Sequence, residues 1–235
     1  MRQVAVITGS SRGIGEAIAD KFASENMDVA LFGRDAEKLN DVKSKCEKKG
    51  VKVLSFAGDV ADKDFVEESI RKVEGEFGKI DHLINNAGVA VFKEFVDTSL
   101  EEFQLQVNTN VYGVFNFSKA VLKGMVENGN GSIINISSLA GKNGFKKGST
   151  YAATKHAVMG FTRSLMLEVR DKGIRVAAIC PGSVVTDMII NSELHPKSTN
   201  SLLDPSDIAQ TVYSVIKLPA RALVSEIEIR PANPK

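Results

Sequence analysis

The chain has little that would engage a large or highly charged partner. Its 235 residues include only two cysteines, Cys46 and Cys180. They are too few for a disulfide framework and lie at no metal-binding spacing, so a reducing compartment suits them. Lys and Arg (30) nearly balance Asp and Glu (29), leaving a net charge of +1. That balance gives no basis for binding nucleic acid or an anionic membrane. No stretch reaches the ~20 apolar residues of a membrane span. The opening run Val4-Ala-Val-Ile7 follows no charged leader, so the cytoplasm is the expected location. The three histidines, His82, His156 and His195, have no companions at ligating spacing. We therefore expect no metal site and assign none of the three a catalytic role.

What is present is regular. Short apolar runs alternate with longer amphipathic ones. Strands are expected at 4–8, 29–32, 51–57, 82–85, 132–136, 174–180 and 223–229. Helices are expected at 13–25, 36–49, 63–76, 100–127, 151–172 and 205–217. Repeated strand–helix–strand units build a parallel sheet through right-handed crossovers, with helices on both faces. The strands are nearly continuous in Val, Ile, Leu and Ala, as sheets covered on both faces require. No linker or composition break divides the chain. The expectation is one α/β domain spanning 1–235, a doubly wound, seven-stranded parallel sheet.

Two of the helices carry apolar or small residues on nearly every side. One holds Val107, Val111, Val114, Phe115, Phe117 and Val121; the other runs from Ala152 through Met166. A surface helix keeps a polar face, so both are expected to be covered outside as well as inside. The chain has no spare segment for that. A homodimer or homotetramer through helices 100–127 and 151–172 is the expectation.

Between the first strand and first helix lies Thr8-Gly-Ser-Ser-Arg-Gly-Ile-Gly15. Gly9, Gly13 and Gly15, with Ile14, let the backbone turn sharply and bring a pyrophosphate against helix N-terminal amides. The second strand ends Leu31-Phe-Gly33-Arg34, without the carboxylate that would hold a ribose 2′-hydroxyl. Arg34 and Arg12 together suit a 2′-phosphate, which points to NADP(H). Asp35 is a competing partner for Arg34. Asp59, followed by Val60, either accepts from an adenine amino group or caps the next helix. Asn86, Ala87 and Gly88 end the fourth strand at the carboxyl edge of the sheet, where ligands bind in this architecture.

Tyr151 and Lys155 stand four residues apart on an expected helix, and so on one face. A phenol titrates near 10 when unperturbed, and a neighbouring ammonium lowers that value. Such a pair can pass a proton to a developing alkoxide.

The ordered set of the glycine turn, Asn85-Asn-Ala-Gly88, Asn110, Ser138, Tyr151-x-x-x-Lys155 and Pro181-Gly182 resembles the short-chain dehydrogenase/reductase family over essentially the whole chain. The resemblance implies a Rossmann-type fold and hydride transfer between NADP(H) and a small carbonyl or alcohol substrate. It makes Tyr151 the general acid/base, with Lys155 lowering its pKa and holding the nicotinamide ribose. It makes Ser138, thirteen residues before Tyr151, the group that orients the substrate oxygen. Asn110, preferred over Asn108 by its Asn-x-x-Gly spacing, would position a water leading from Lys155 to solvent. Pro181, Gly182, Val184 and Thr186 would cover the nicotinamide.

The resemblance also implies a substrate lid, here about 187–203 and containing Met188, Ile189, Ile190, Leu194 and His195. Phe145 is a candidate pocket wall, and Cys180 a strand core residue. The lysines at 142, 146 and 147 are expected to be solvated, with recruitment of an anionic substrate or carrier protein as the alternative. The C-terminus departs from the glycine-rich tail of many relatives, which puts a tail-mediated tetramer contact in doubt. A non-catalytic dinucleotide-binding regulator on the same fold is the competing function.

Overall fold

A computed structural model describes residues 2–194 and 202–232. His195 and the middle of the expected lid lie outside the described residues. In chain order the elements are β1 (Val4–Thr8), α1 (Gly13–Ser24), β2 (Asp28–Gly33), α2 (Ala36–Glu47), β3 (Val53–Ala57), α3 (Lys63–Phe77) and β4 (His82–Asn85). They continue as α4 (Leu100–Val107), α5 (Gly113–Asn128), β5 (Gly131–Ile136), α6 (Ser149–Val169), β6 (Ile174–Pro181), α7 (Asp187–Ile190), α8 (Pro205–Ile216) and β7 (Glu226–Ile229).

The seven strands form one parallel sheet in the order β3-β2-β1-β4-β5-β6-β7. The order reverses between β1 and β4, and that switch point opens a crevice at the carboxyl edge. The doubly wound expectation holds. Each face of the sheet has its own core. Ile18, Phe22 and Val29 pack with Leu39, Ile208 and Val212 from α1, α2 and α8 on one side. Phe32, Val66, Ile70, Phe117 and Val121 pack with Leu165 against α3, α5 and α6 on the other.

One polar seam crosses this apolar interior. The Asn85 amide donates to Asn135 Oδ1 at 2.8 Å and to Ser118 Oγ at 3.1 Å, and Asn135 donates to Thr162 Oγ1 at 2.8 Å. The seam bonds the ends of β4 and β5 to α5 and α6, and so fixes the helices that carry the site. Both hydrogens of the Asn85 amide are used in this way, while its Oδ1 is buried without a partner among the described residues.

The expected helix over 100–127 differs from what forms. A capping box at Ser99 and Glu102 starts α4, and a π turn over Asn108–Tyr112 then separates it from α5. The sequence pattern runs through without a break, because each half is amphipathic by itself. The last strand begins at Glu226 rather than 223, and the short α7 opens the expected lid. No helix among the described residues is long and apolar enough to cross a membrane.

Candidate active site

Strand ends and helix starts converge on a cleft of about 1750 Å³ along the carboxyl edge of the sheet. Its wall contains Gly9, Arg12, Gly13, Ile14, Arg34, Asp59, Val60, Asn86, Ala87, Gly88, Ser138, Tyr151, Lys155, Pro181, Gly182, Val184 and Thr186. Gly15 and Asn110 lie just behind that wall.

The glycine turn is built by close approach. Gly9 has φ +64, and a Cβ there would come within 2.7 Å of Ala87 Cα. A Cβ on Gly15 would stand 2.2 Å from the Gly9 carbonyl oxygen. Neither position admits a side chain, so the backbone amides at the start of α1 stay open to the cleft. Thr8 Oγ1 accepts from the amides of Asn86 and Ala87 at 3.0 Å each, and the Asn86 side chain donates to the Thr8 and Gly9 carbonyls. Asn86 therefore braces the turn against β4. This bracing, with Thr8 at its centre, is not visible in the motif spacing.

Arg12 and Arg34 open on the same cleft, but Arg12 is turned to Asp187 at 3.2 Å. Asp35 caps α2 by accepting from the Lys38 amide at 3.1 Å, and so does not hold Arg34. Asp59 accepts from the Ala61 amide at 2.9 Å, while the cap of α3 is Asp62.

Tyr151 lies in the first turn of α6, with Lys155 one turn on. The Lys155 ammonium donates to the Ile136 carbonyl at 2.9 Å and sits 5.7 Å from the centre of the Tyr151 ring. Burial pushes Lys155 down to about 8. Burial also pushes the Tyr151 phenol up to about 12, opposed by a hydrogen bond with Ser138. The lowered phenol expected from Lys155 is thus not a property of the chain alone. The ammonium is directed at a strand carbonyl, and removal from water favours the neutral phenol. Ser138 Oγ also accepts from the Ala140 amide at 3.1 Å.

Asn110 lies in the π turn and is buried. It binds the Val89 backbone and Thr154, so its side chain has no amide hydrogen left for a water. Gly88 lies over this group: a Cβ there would be 3.4 Å from Asn110 Oδ1 and 3.7 Å from Lys155 Nζ.

The remaining residues fall outside the chemistry. Cys180 is fully buried, with its sulfur 3.6 Å from Met159. His156 Nδ1 lies 2.9 Å from the Ala152 carbonyl of its own helix, and His82 is buried at the start of β4. Sequence reading missed Phe92, whose ring stands 5.5 Å from that of Tyr151 and nearly perpendicular to it. The apolar run Val89-Ala-Val-Phe92 directly after the β4 turn was the available signal.

A sequence profile for short chain dehydrogenases matches residues 3–197. The chain belongs to the short-chain dehydrogenase family. It is 36% identical over 229 residues to an uncharacterised oxidoreductase of Staphylococcus aureus strain MW2, covering 97% of each chain. Among solved structures, it resembles the alcohol dehydrogenase of the archaeon Thermococcus sibiricus complexed with 5-hydroxy-NADP. That match has a TM-score of 0.91 and 32% identity, covering 99% of this chain and 97% of the other. A variant of actinorhodin polyketide ketoreductase with NADPH matches with a TM-score of 0.90 and 32% identity, covering 98% and 96%. The chain is therefore an oxidoreductase of this family.

Proposed function

We propose that the protein is an NADP(H)-dependent oxidoreductase interconverting a carbonyl and an alcohol, with Tyr151 as its general acid/base. The observation that carries this reading is the meeting of Ser138, Tyr151 and Lys155 on the wall that the glycine turn also lines. The cleft fits a dinucleotide: the turn admits no Cβ at Gly9 or Gly15, and Arg12 and Arg34 border it. Relatives with NADP-type ligands in place support the same choice.

Arg12 and Arg34 would hold the 2′-phosphate, the amides after Gly13 the pyrophosphate, Asp59 and Val60 the adenine, and Asn86 to Gly88 with Lys155 the ribose. Pro181, Gly182, Val184 and Thr186 would cover the nicotinamide, which supplies or accepts the hydride. Ser138 donates to the substrate oxygen and holds it at the Tyr151 hydroxyl. A phenol kept protonated to about 12 stays loaded as an acid at neutral pH. It releases its proton only to a stronger base, and an alkoxide forming at the carbonyl is one. Lys155, with a pKa near 8, remains largely charged there. Asn110 acts as a positioning residue by fixing the floor at Val89.

The apolar outer faces point to a second copy of the chain. Leu105, Tyr112 and Phe115 on the α4–α5 segment and Leu167 on α6 are exposed in the single chain. Self-association through these helices would cover them.

Tyr151→Phe tests the assignment. It should lower NADPH-dependent carbonyl reduction at least about a hundredfold while NADPH binding survives. Unchanged turnover would overturn the mechanism.

A further inference from the structure

The cleft has a second half, beyond the residues assigned to the dinucleotide, whose chemistry restricts what can reach Tyr151. Phe92, Ala140, Tyr151 and Ala152 form one buried apolar cluster, with Met188 and Ile189 of α7 packed against it. Phe145 extends this surface, its ring centre 5.9 Å from that of Phe92. The ring is seated by Gly148: a Cβ there would stand 2.1 Å from Phe145 Cζ, so any larger residue would push the ring from its place. The phenol that delivers the proton thus faces a space walled by two aromatic rings on one side and two aliphatic side chains on the other.

Among the described residues, the cations at this rim are already paired. Lys147 pairs with Glu193 at 2.7 Å. Lys142 is shared by Glu226 and Glu228 at 2.9 and 3.0 Å, and Arg230 binds Glu228 at 2.9 Å. Lys93 is held by Glu102, and Arg12 by Asp187. Lys155 is directed at the Ile136 carbonyl and is assigned to the ribose. Lys146 has no ion pair among the described residues, but it is exposed and does not line the cleft, so the lysine loop brings no free cation to this wall. A carboxylate or phosphate arriving here would lose its water among apolar side chains and meet cations already neutralised by Glu193, Glu226 and Glu228. Burying a charge without a partner is strongly unfavourable, whereas apolar surface gains by entering such a space.

We infer that the site takes an uncharged carbonyl compound with an apolar body of at least aromatic-ring size, held between Phe92 and Phe145 and the Met188–Ile189 wall. Phe145 sets this preference. The inference rests on the oxidoreductase reading above and deepens it. The reaction balances as proposed there: one hydride from NADPH forms the C–H bond, one proton from Tyr151 forms the O–H bond, and NADP⁺ leaves with the alcohol.

The test uses the full chain with NADPH and two matched ketones, 4-acetylbenzoate and its methyl ester, which place the charge far from the reacting carbonyl. The ester should be reduced with a kcat/KM about a hundredfold above that of the acid. Phe145→Ala should raise the KM for the ester about tenfold, with NADPH affinity unchanged. Phe145→Arg should narrow the ester-to-acid ratio at least about tenfold by supplying the missing cation. Gly148→Ala, which displaces the ring without removing it, should shift the KM in the same direction as Phe145→Ala. An acid reduced as well as the ester, or an ester KM unmoved in both Phe145→Ala and Gly148→Ala, overturns the inference and leaves the oxidoreductase reading standing. NADPH binding with no reduction of either ketone or of any small neutral carbonyl overturns both.

Discussion

Asn110 grips the backbone of Val89 from both sides. Its Oδ1 accepts from the Val89 amide at 2.8 Å and its Nδ2 donates to the Val89 carbonyl at 2.9 Å. The second amide hydrogen goes to Thr154 Oγ1 at 3.0 Å, on the helix that carries Tyr151 and Lys155. One side chain thus ties the turn after β4 to the catalytic helix. Asn110→Ala would leave the half-buried Val89 amide and carbonyl without these partners, at a cost of about 1–3 kcal/mol. Urea unfolding should show that loss, and NADPH affinity should fall with it, because the Asn86–Gly88 floor is released. A variant as stable as the parent would show that the grip is dispensable.

Cofactor choice depends on two arginines with different neighbours. Arg34 has its competitor Asp35 removed to the cap of α2, whereas Arg12 is paired with Asp187. Arg34→Asp should weaken NADPH about ten- to hundredfold and bring NADH to parity or better, read as Kd and KM for each cofactor. Asp187→Ala should instead strengthen NADPH binding a few-fold, because it frees Arg12 for the phosphate, and should leave NADH unchanged. Equal effects on both cofactors would remove Arg12 and Arg34 from the 2′-phosphate.

His82 makes stability depend on pH. It is buried at the start of β4, neither ring nitrogen has a hydrogen-bond partner, and burial pushes its pKa down to about 4. The folded protein holds it neutral, while the unfolded chain takes up a proton below its ordinary value near 6.5. Its contribution is therefore complete above about pH 6.5 and is lost as the pH falls towards 4, an acid penalty of about 3 kcal/mol. His82→Leu should flatten the unfolding free energy between about pH 6.5 and 4.5 relative to the parent. Parallel curves for the two proteins would show that other groups carry the acid sensitivity.

The exposed apolar faces of the α4–α5 segment and α6 make a prediction about mass in solution. Light scattering on the purified chain should give a multiple of the chain mass. Phe115→Glu together with Leu167→Glu should return it to a single chain, because both residues are exposed and cost the monomer little. A parent that is already monomeric would refute the self-association proposal.

The fold was legible because its strands are short, apolar and regularly spaced, and because Tyr151 and Lys155 lie one turn apart on a single helix. Residues whose partners lie far along the chain were not legible. Lys147 meets Glu193, 46 residues away, and Lys142 meets Glu228, 86 residues away, so the loop read as three solvated lysines turned out to hold two paired ones. Arg12 meets Asp187 across 175 residues, a pairing no local pattern announces. In the chain alone the Tyr151 phenol differs from the expectation for a related reason. Residue type and spacing gave the neighbouring ammonium, but burial, which dominates, is set by the whole fold.

The π turn at Asn108–Tyr112 lets this helical segment hold one extra residue without turning its flanks. A π turn holds one residue more than an α turn. Gln106 on its near side donates to Thr150 at 3.0 Å, and Phe117 on its far side packs edge-on against Phe32, ring centres 4.8 Å apart. Deleting one residue within the turn would let a regular helix form and leave Gln106 and Phe117 on the faces they now occupy, because the wider turn absorbs the extra residue. What would change is the turn itself, and with it the place of Asn110 between Val89 and Thr154. A relative shorter by one residue here should therefore keep the contacts on both sides and lose the reach of Asn110 to Val89, so the extra residue serves the turn after β4 and not the register of the helices.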